Sequence, residues 1–133
     1  MTALTTKTQS EALLRMAMRV DAVLSGVCGL TVIVAAGPIS RLTGIPTAAE
    51  YAIGAAFLGY ATAVVLAAGL ERVRTAGIVT AIANLMFTVA ALVVVLARPV
   101  ELTTAGVVAV LASGVYTLVF ADLQYLGVRR IKT

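Results

Sequence analysis

Four hydrophobic runs divide the chain, over about residues 16–36, 48–70, 75–97 and 102–126. Each is long enough to supply the ~20 residues that cross a ~30 Å hydrocarbon layer. A water-soluble domain could not hide this much apolar surface. Only 12% of the 133 residues are charged, against about 25% in a typical soluble domain, and the mean hydropathy is +1.05. In lipid no water satisfies the backbone N–H and C=O groups, so a single crossing has to be helical. The expected fold is therefore all-α. It is one integral membrane domain over 1–133, an antiparallel bundle of four transmembrane helices, with a flexible polar tail at residues 1–10.

Each boundary between runs has a chemical reason. Gly37-Pro38 ends the first, because proline lacks a ladder donor and its ring crowds the carbonyl four residues back. Ile39 to Thr43 is expected as one interfacial turn, closed by Gly44-Ile45-Pro46. Thr47-Ala48-Ala49-Glu50 then has the Thr-x-x-Glu form of a capping box. Glu71-Arg72-Val73-Arg74 and Arg98-Pro99-Val100-Glu101 form the other turns, and Gly127 with the basic tail closes the last run. Val34-Ala35-Ala36 loosely fits a signal-peptide cleavage site, but the run before it is too long for a signal core and contains Asp21, so the first span is expected to be retained. Lys7, Arg15, Arg19, Arg72, Arg74, Arg129, Arg130 and Lys132 fall on one side of this topology, and only Arg41 and Arg98 on the other. That asymmetry places both termini in the cytoplasm.

Several function classes drop out. There is no histidine and a single cysteine, Cys28, which removes histidine-based zinc or haem ligation, thiolate clusters and internal disulfides. No metal and no cofactor is expected. No basic face with interleaved aromatics is present to bind nucleic acid, and nothing has the spacing of a nucleophile with its base.

The few polar groups inside the runs are the candidates for function. Asp21 is the sharpest. It lies about 9 Å deeper than Arg15 at ~1.5 Å rise per residue, where an unpaired charge costs up to about 2.5–3.5 kcal/mol. It therefore needs a partner, a proton or water. Ser25 shares its helical face, as does Cys28. Asp122 lies at similar depth, about 10 Å inside the boundary marked by Arg129. Asp21, Asp122, Arg19 and Ser25 are thus expected to form a polar cluster in the cytoplasmic leaflet, holding helices together or coupling to a proton or cation. Asn84, Tyr60 and Tyr116 lie deep enough to need hydrogen-bond partners, and Asn84 could serve both tyrosines. Tyr51 and Tyr125 suit interface anchors. Helix association in lipid depends on close backbone approach, which singles out Gly26 and Gly29 on the first span and the Ala55, Gly59, Ala63 stripe on the second. Such a stripe serves the bundle, a homo-oligomer interface or a substrate path.

Three segments together resemble a family of small bacterial four-helix integral membrane proteins. They are Arg19-Val20-Asp21-Ala22 through Ser25-Gly26 and Gly29, the loop from Gly37-Pro38 to Gly44-Ile45-Pro46, and the ending Asp122-Leu123-Gln124-Tyr125-Leu126-Gly127-Val128-Arg129-Arg130. The resemblance covers nearly the whole chain. It implies a bacterial inner-membrane location and nothing catalytic, and it supports treating Asp21 and Asp122 together. Small multidrug exporters also carry an acid in their first helix, but this chain has no tryptophan and its acid lies nearer the cytoplasmic end. Proteins of the DoxX type share size and span count without a motif match. The expected role is that of a non-enzymatic integral membrane protein, structural or accessory to a membrane complex. Its contacts would be the lipid bilayer and a membrane partner or second copy. The alternative is a small proton-coupled transporter using the intramembrane acids.

Overall fold

The computed structural model describes residues 2–131, with side chains from residue 9 onward. Among the described residues the chain is all-helical: α1 (Thr2–Val34), α2 (Ala36–Thr43), α3 (Thr47–Ala67), α4 (Arg74–Ala97) and α5 (Thr104–Arg129). Four helices are long and apolar enough to cross a membrane, α1 over its Gln9–Val34 portion together with α3, α4 and α5. Residues 2–10, expected as a flexible tail, instead continue α1 as helix.

The first boundary bends the chain without unwinding it. Pro38 has no N–H to give to the Val34 carbonyl, and Ala35 takes up the change of direction at φ −111°, ψ 27°. The ladder resumes on either side, with Ala35 N–H on Thr31 O and Ile39 N–H on Ala35 O, both at 2.9 Å. The expected single turn is thus an eight-residue helix, α2. The expected capping box does not form. Pro46 takes the extended position before α3 and no side chain caps the helix. Glu50 instead accepts a hydrogen bond from the Thr43 hydroxyl at 3.0 Å. Thr43 is buried at the end of α2, and its hydroxyl is the donor within reach of an equally buried carboxylate.

In the packed structure α1 lies against α3 and α5, and α5 lies against α1 and α4. Two contacts set these distances. A Cβ on Gly29 would stand 2.7 Å from the Gly54 carbonyl oxygen, and one on Gly54 would stand 2.6 Å from Ile33 Cγ1, so α1 and α3 cross with their backbones nearly touching. At the other end Leu14 is wedged between α4 and α5. A Cβ on Gly77 would meet its Cδ2 at 2.5 Å, and one on Gly127 would meet its Cα at 2.7 Å. Leu14 is fully buried and heads the apolar core with Met18, Ala22, Val64, Ala68, Val73 and Val128. At the α2 end the Thr103 N–H donates to Thr43 O at 3.0 Å, tying the loop before α5 to α2.

The small-residue stripe of α3 is displaced from where the sequence places it. Ala55, Gly59 and Ala63 are exposed, and the buried positions are Glu50, Gly54, Ala61 and Val64. A strict four-residue step overshoots one helical turn by ~40°, so the Ala55–Gly59–Ala63 line winds away from α1. The buried line mixes four-, seven- and three-residue steps, whose turns largely cancel, and stays on one face. Gly26 and Gly29 do face α3: a Cβ on Gly26 would make an ordinary 3.4 Å contact with Ala61 Cβ.

These positions should separate in reversible unfolding from mixed detergent micelles. Gly29→Ala is expected to destabilise the fold by roughly 1–3 kcal/mol through overpacking. Gly59→Ala meets nothing within 4 Å and should change stability by less than about 1 kcal/mol. Equal effects would contradict the α1–α3 crossing.

Candidate functional site

Each of the four long apolar helices sends at least one polar side chain to a single point, the carboxylate of Asp21. Asp21 is completely buried, and with no side chain of its own sign or the opposite beside it, it is met only by neutral donors. Its Oδ1 accepts from Ser25 Oγ on the next turn of α1 at 3.1 Å and from Tyr116 Oη of α5 at 2.9 Å. Its Oδ2 accepts from Tyr60 Oη of α3 at 2.6 Å, Asn84 Nδ2 of α4 at 2.9 Å and Gln124 Nε2 of α5 at 3.0 Å. The Asn84 NH₂, which has two protons to share, also lies 3.0 Å from Tyr60 Oη and 2.9 Å from Gln124 Oε1. An ionised carboxylate is acceptor-only, with about four lone-pair sites, and the five donors fill them. That acceptor also fixes which way both amides turn, since each must present its NH₂.

The helices bring these groups together through register. Leu14 of α1 lies against Gly77 of α4, and Asp21 and Asn84 each lie two turns further along from that contact, at ~1.5 Å per residue. Leu14 also lies against Gly127 of α5. Gln124 therefore approaches the carboxylate from the Arg15 end and Tyr116 from the opposite side. A further turn along, Thr88 extends the polar line between α4 and α5, contacting Gly114 O at 3.0 Å and Thr117 Oγ1 at 2.7 Å.

The structure gathers Asp21, Ser25, Tyr60, Asn84 and Tyr116, but two members of the expected cluster lie elsewhere. Asp122 is exposed and makes no contact with Asp21. Arg19 is exposed as well. The reason is the same for both. Residues two apart on a helix point to nearly opposite sides, at ~200°; Gln124 turns inward, so Asp122 turns outward, and Asp21 turns inward, so Arg19 turns outward. The matching depth of the two acids is a property of the helices and not of a contact. Gln124 was the residue missed. It was findable, because it falls on the line Thr117, Ala121, Gln124, Val128, whose alternating four- and three-residue steps mark the buried face of α5.

Arg15 performs a different task. Its Nη1 donates to Ala68 O and Leu70 O, both at 2.7 Å, and its Nη2 to Glu71 O at 3.3 Å. These are carbonyls at and beyond the C-terminus of α3, which the helix itself cannot satisfy. The Glu11 carboxylate holds the guanidinium at 3.0 Å. This is the one ion pair found among the described residues, and no basic side chain there pairs with Asp21. No three His, Cys, Asp or Glu side chains gather among the described residues either.

In comparisons with known proteins, no family model, no curated protein and no solved structure matches the chain.

Arg15→Met should lower unfolding stability by roughly 1.5–3 kcal/mol through loss of charge-assisted hydrogen bonds. Arg15→Lys should recover only part of it, because a single ammonium cannot reproduce the guanidinium fork. Asp122→Asn should stay within about 0.5 kcal/mol of wild type. A large loss at Asp122 would contradict its outward placement.

Proposed function

We propose that the chain is an antiparallel four-span bundle of the bacterial inner membrane with both termini in the cytoplasm, acting without covalent chemistry as a structural or accessory component of a membrane complex. The observation that carries this reading is the saturation of Asp21. Five neutral donors from α1, α3, α4 and α5 occupy its two oxygens, and none of its surface is exposed. A proton-coupled site has to exchange protons with water on at least one side of the membrane. Asp21 has no open lone pair for that exchange, and Asp122 stands apart from it. Asp21 is better suited to fastening four helices into one rigid body, which then presents its outer faces to lipid and to a neighbouring membrane protein. The cytoplasmic placement of the termini rests on the eight bases on that side of the loops against two on the other. The inner-membrane location rests on the four spans and on the resemblance of the two end segments and first loop.

Asp21→Asn keeps the shape of the side chain but removes the charge and one acceptor oxygen. It is expected to lower stability by at least roughly 1.5–3 kcal/mol, and wild-type protein in sealed vesicles is expected to sustain no flux driven by a pH gradient. A variant as stable as wild type that abolished a flux present in wild type would overturn the fastening role in favour of proton coupling. Affinity capture from native membrane should recover a stoichiometric membrane partner, and its absence would remove the accessory role.

A further inference from the structure

Beside the Asp21 cluster, on the side away from Arg15, the four spanning helices enclose a cavity of about 450 Å³. Its walls are apolar, with Leu24 of α1, Phe57 of α3 and Phe87 of α4 among them, and its polar end is formed by Ser25, Tyr60, Asn84 and Tyr116. The two phenylalanine rings, on α3 and α4, pack with centroids 5.6 Å apart and planes tilted by 57°. The cavity is not sealed, since Leu24 and Cys28 on its wall are exposed.

The hydrogen-bond inventory of the polar end is one-sided. The hydroxyl protons of Ser25, Tyr60 and Tyr116 point at Asp21, and the amide protons of Asn84 at Asp21, Tyr60 and Gln124. Further out, Ser113 gives its proton to Ala109 O and Thr117 donates to Gly114 O. What these groups have left to offer is lone pairs. Asn84 is 97% buried by its 3% relative exposure, it lines the cavity, and its Oδ1 accepts no hydrogen bond among the described residues, all of its contacts running through Nδ2. Directly behind this layer lies the Asp21 carboxylate, which has no ion pair among the described residues.

We infer that the cavity binds a small lipophilic amine in its ammonium form. An occupant with a hydrogen-bond acceptor or an anion at this end would face lone pairs and a carboxylate. A neutral donor would be tolerated. A cation with N–H groups satisfies the open Asn84 oxygen, is attracted by the Asp21 carboxyl behind the tyrosine and serine hydroxyls, and lies beside the aromatic rings of Phe57 and Phe87. The apolar walls then take its hydrocarbon body, in the usual division of a membrane or soluble pocket between apolar lining and a few convergent polar groups. This goes beyond the fastening role of Asp21 and does not require a protein partner.

The test is equilibrium dialysis of radiolabelled 1-adamantylammonium against the full chain in lipid nanodiscs, with empty nanodiscs of the same lipid as reference and 1-adamantanol and tetraethylammonium as comparison ligands. The ammonium should bind saturably at one per chain, and the neutral alcohol roughly tenfold to a hundredfold more weakly, the cost of replacing a charged donor by a neutral one. Tetraethylammonium, which has no N–H to give, should also bind more weakly. Filling the cavity wall with Ala56→Leu and Ala112→Leu together should abolish saturable binding while the unfolding temperature stays near that of wild type. Binding no greater than to empty nanodiscs would overturn the proposal, as would an alcohol that binds as tightly as the ammonium. Capture of a membrane partner bears only on the accessory role, so the two can fail separately.

Discussion

A carboxylate buried among apolar helices has to be given donors that replace water, and in this chain they come from all four helices that are long and apolar enough to cross a membrane. That requirement organises the rest. The two amides and two phenols that reach Asp21 stand on three different helices. They can meet only if the helices hold one rotation and one register. Hydrophobic matching with lipid sets neither, because lipid tails are as apolar as the side chains that face them. The polar cluster supplies the specificity that the apolar surface lacks.

The close contacts then set the distances at which that cluster can close. Gly29 against Gly54 brings α1 onto α3, and Leu14 between Gly77 and Gly127 brings α1 onto α4 and α5. The Arg15 guanidinium fastens the end of α3 from the side of α1, and Thr43 with Thr103 fastens α2 to the start of α5 at the far end. Polar locks at both ends and at the centre, with near-touching backbones between them, describe a body that keeps its shape. The remaining opening, the cavity beyond Tyr60 and Tyr116, is left with apolar walls and a floor whose donors are already used.

Four helices long and apolar enough to cross a membrane, and the need of Asp21, Asn84, Tyr60 and Tyr116 for hydrogen-bond partners, were legible from residue type and depth, because an apolar surrounding penalises any polar group that lacks a partner. Rotation about each helix axis was not legible from depth. Asp122 and Gln124 lie two residues apart, and depth alone favoured the acid. The three- and four-residue spacing of Thr117, Ala121, Gln124 and Val128 would have favoured the amide. The same omission misplaced the α3 stripe by one residue, from Gly54 to Ala55. The capping box failed for another reason. Its Glu50 has a buried competitor donor, Thr43, that is seven residues away in sequence and adjacent only once α2 has folded.

The central claim, that Asp21 is the shared acceptor of the bundle, can be read directly, since the chain has only one asparagine and two aspartates. Solid-state NMR on protein made by cell-free synthesis, with ¹³C at the aspartate side-chain carboxyls and ¹⁵N at the asparagine side-chain amide, reports whether Asn84 reaches a carboxylate. The account predicts a strong dipolar coupling from the Asn84 amide to one aspartate carboxyl, retained in Asp122→Glu. A coupling that disappears in Asp122→Glu, or none in the wild-type protein, would contradict it.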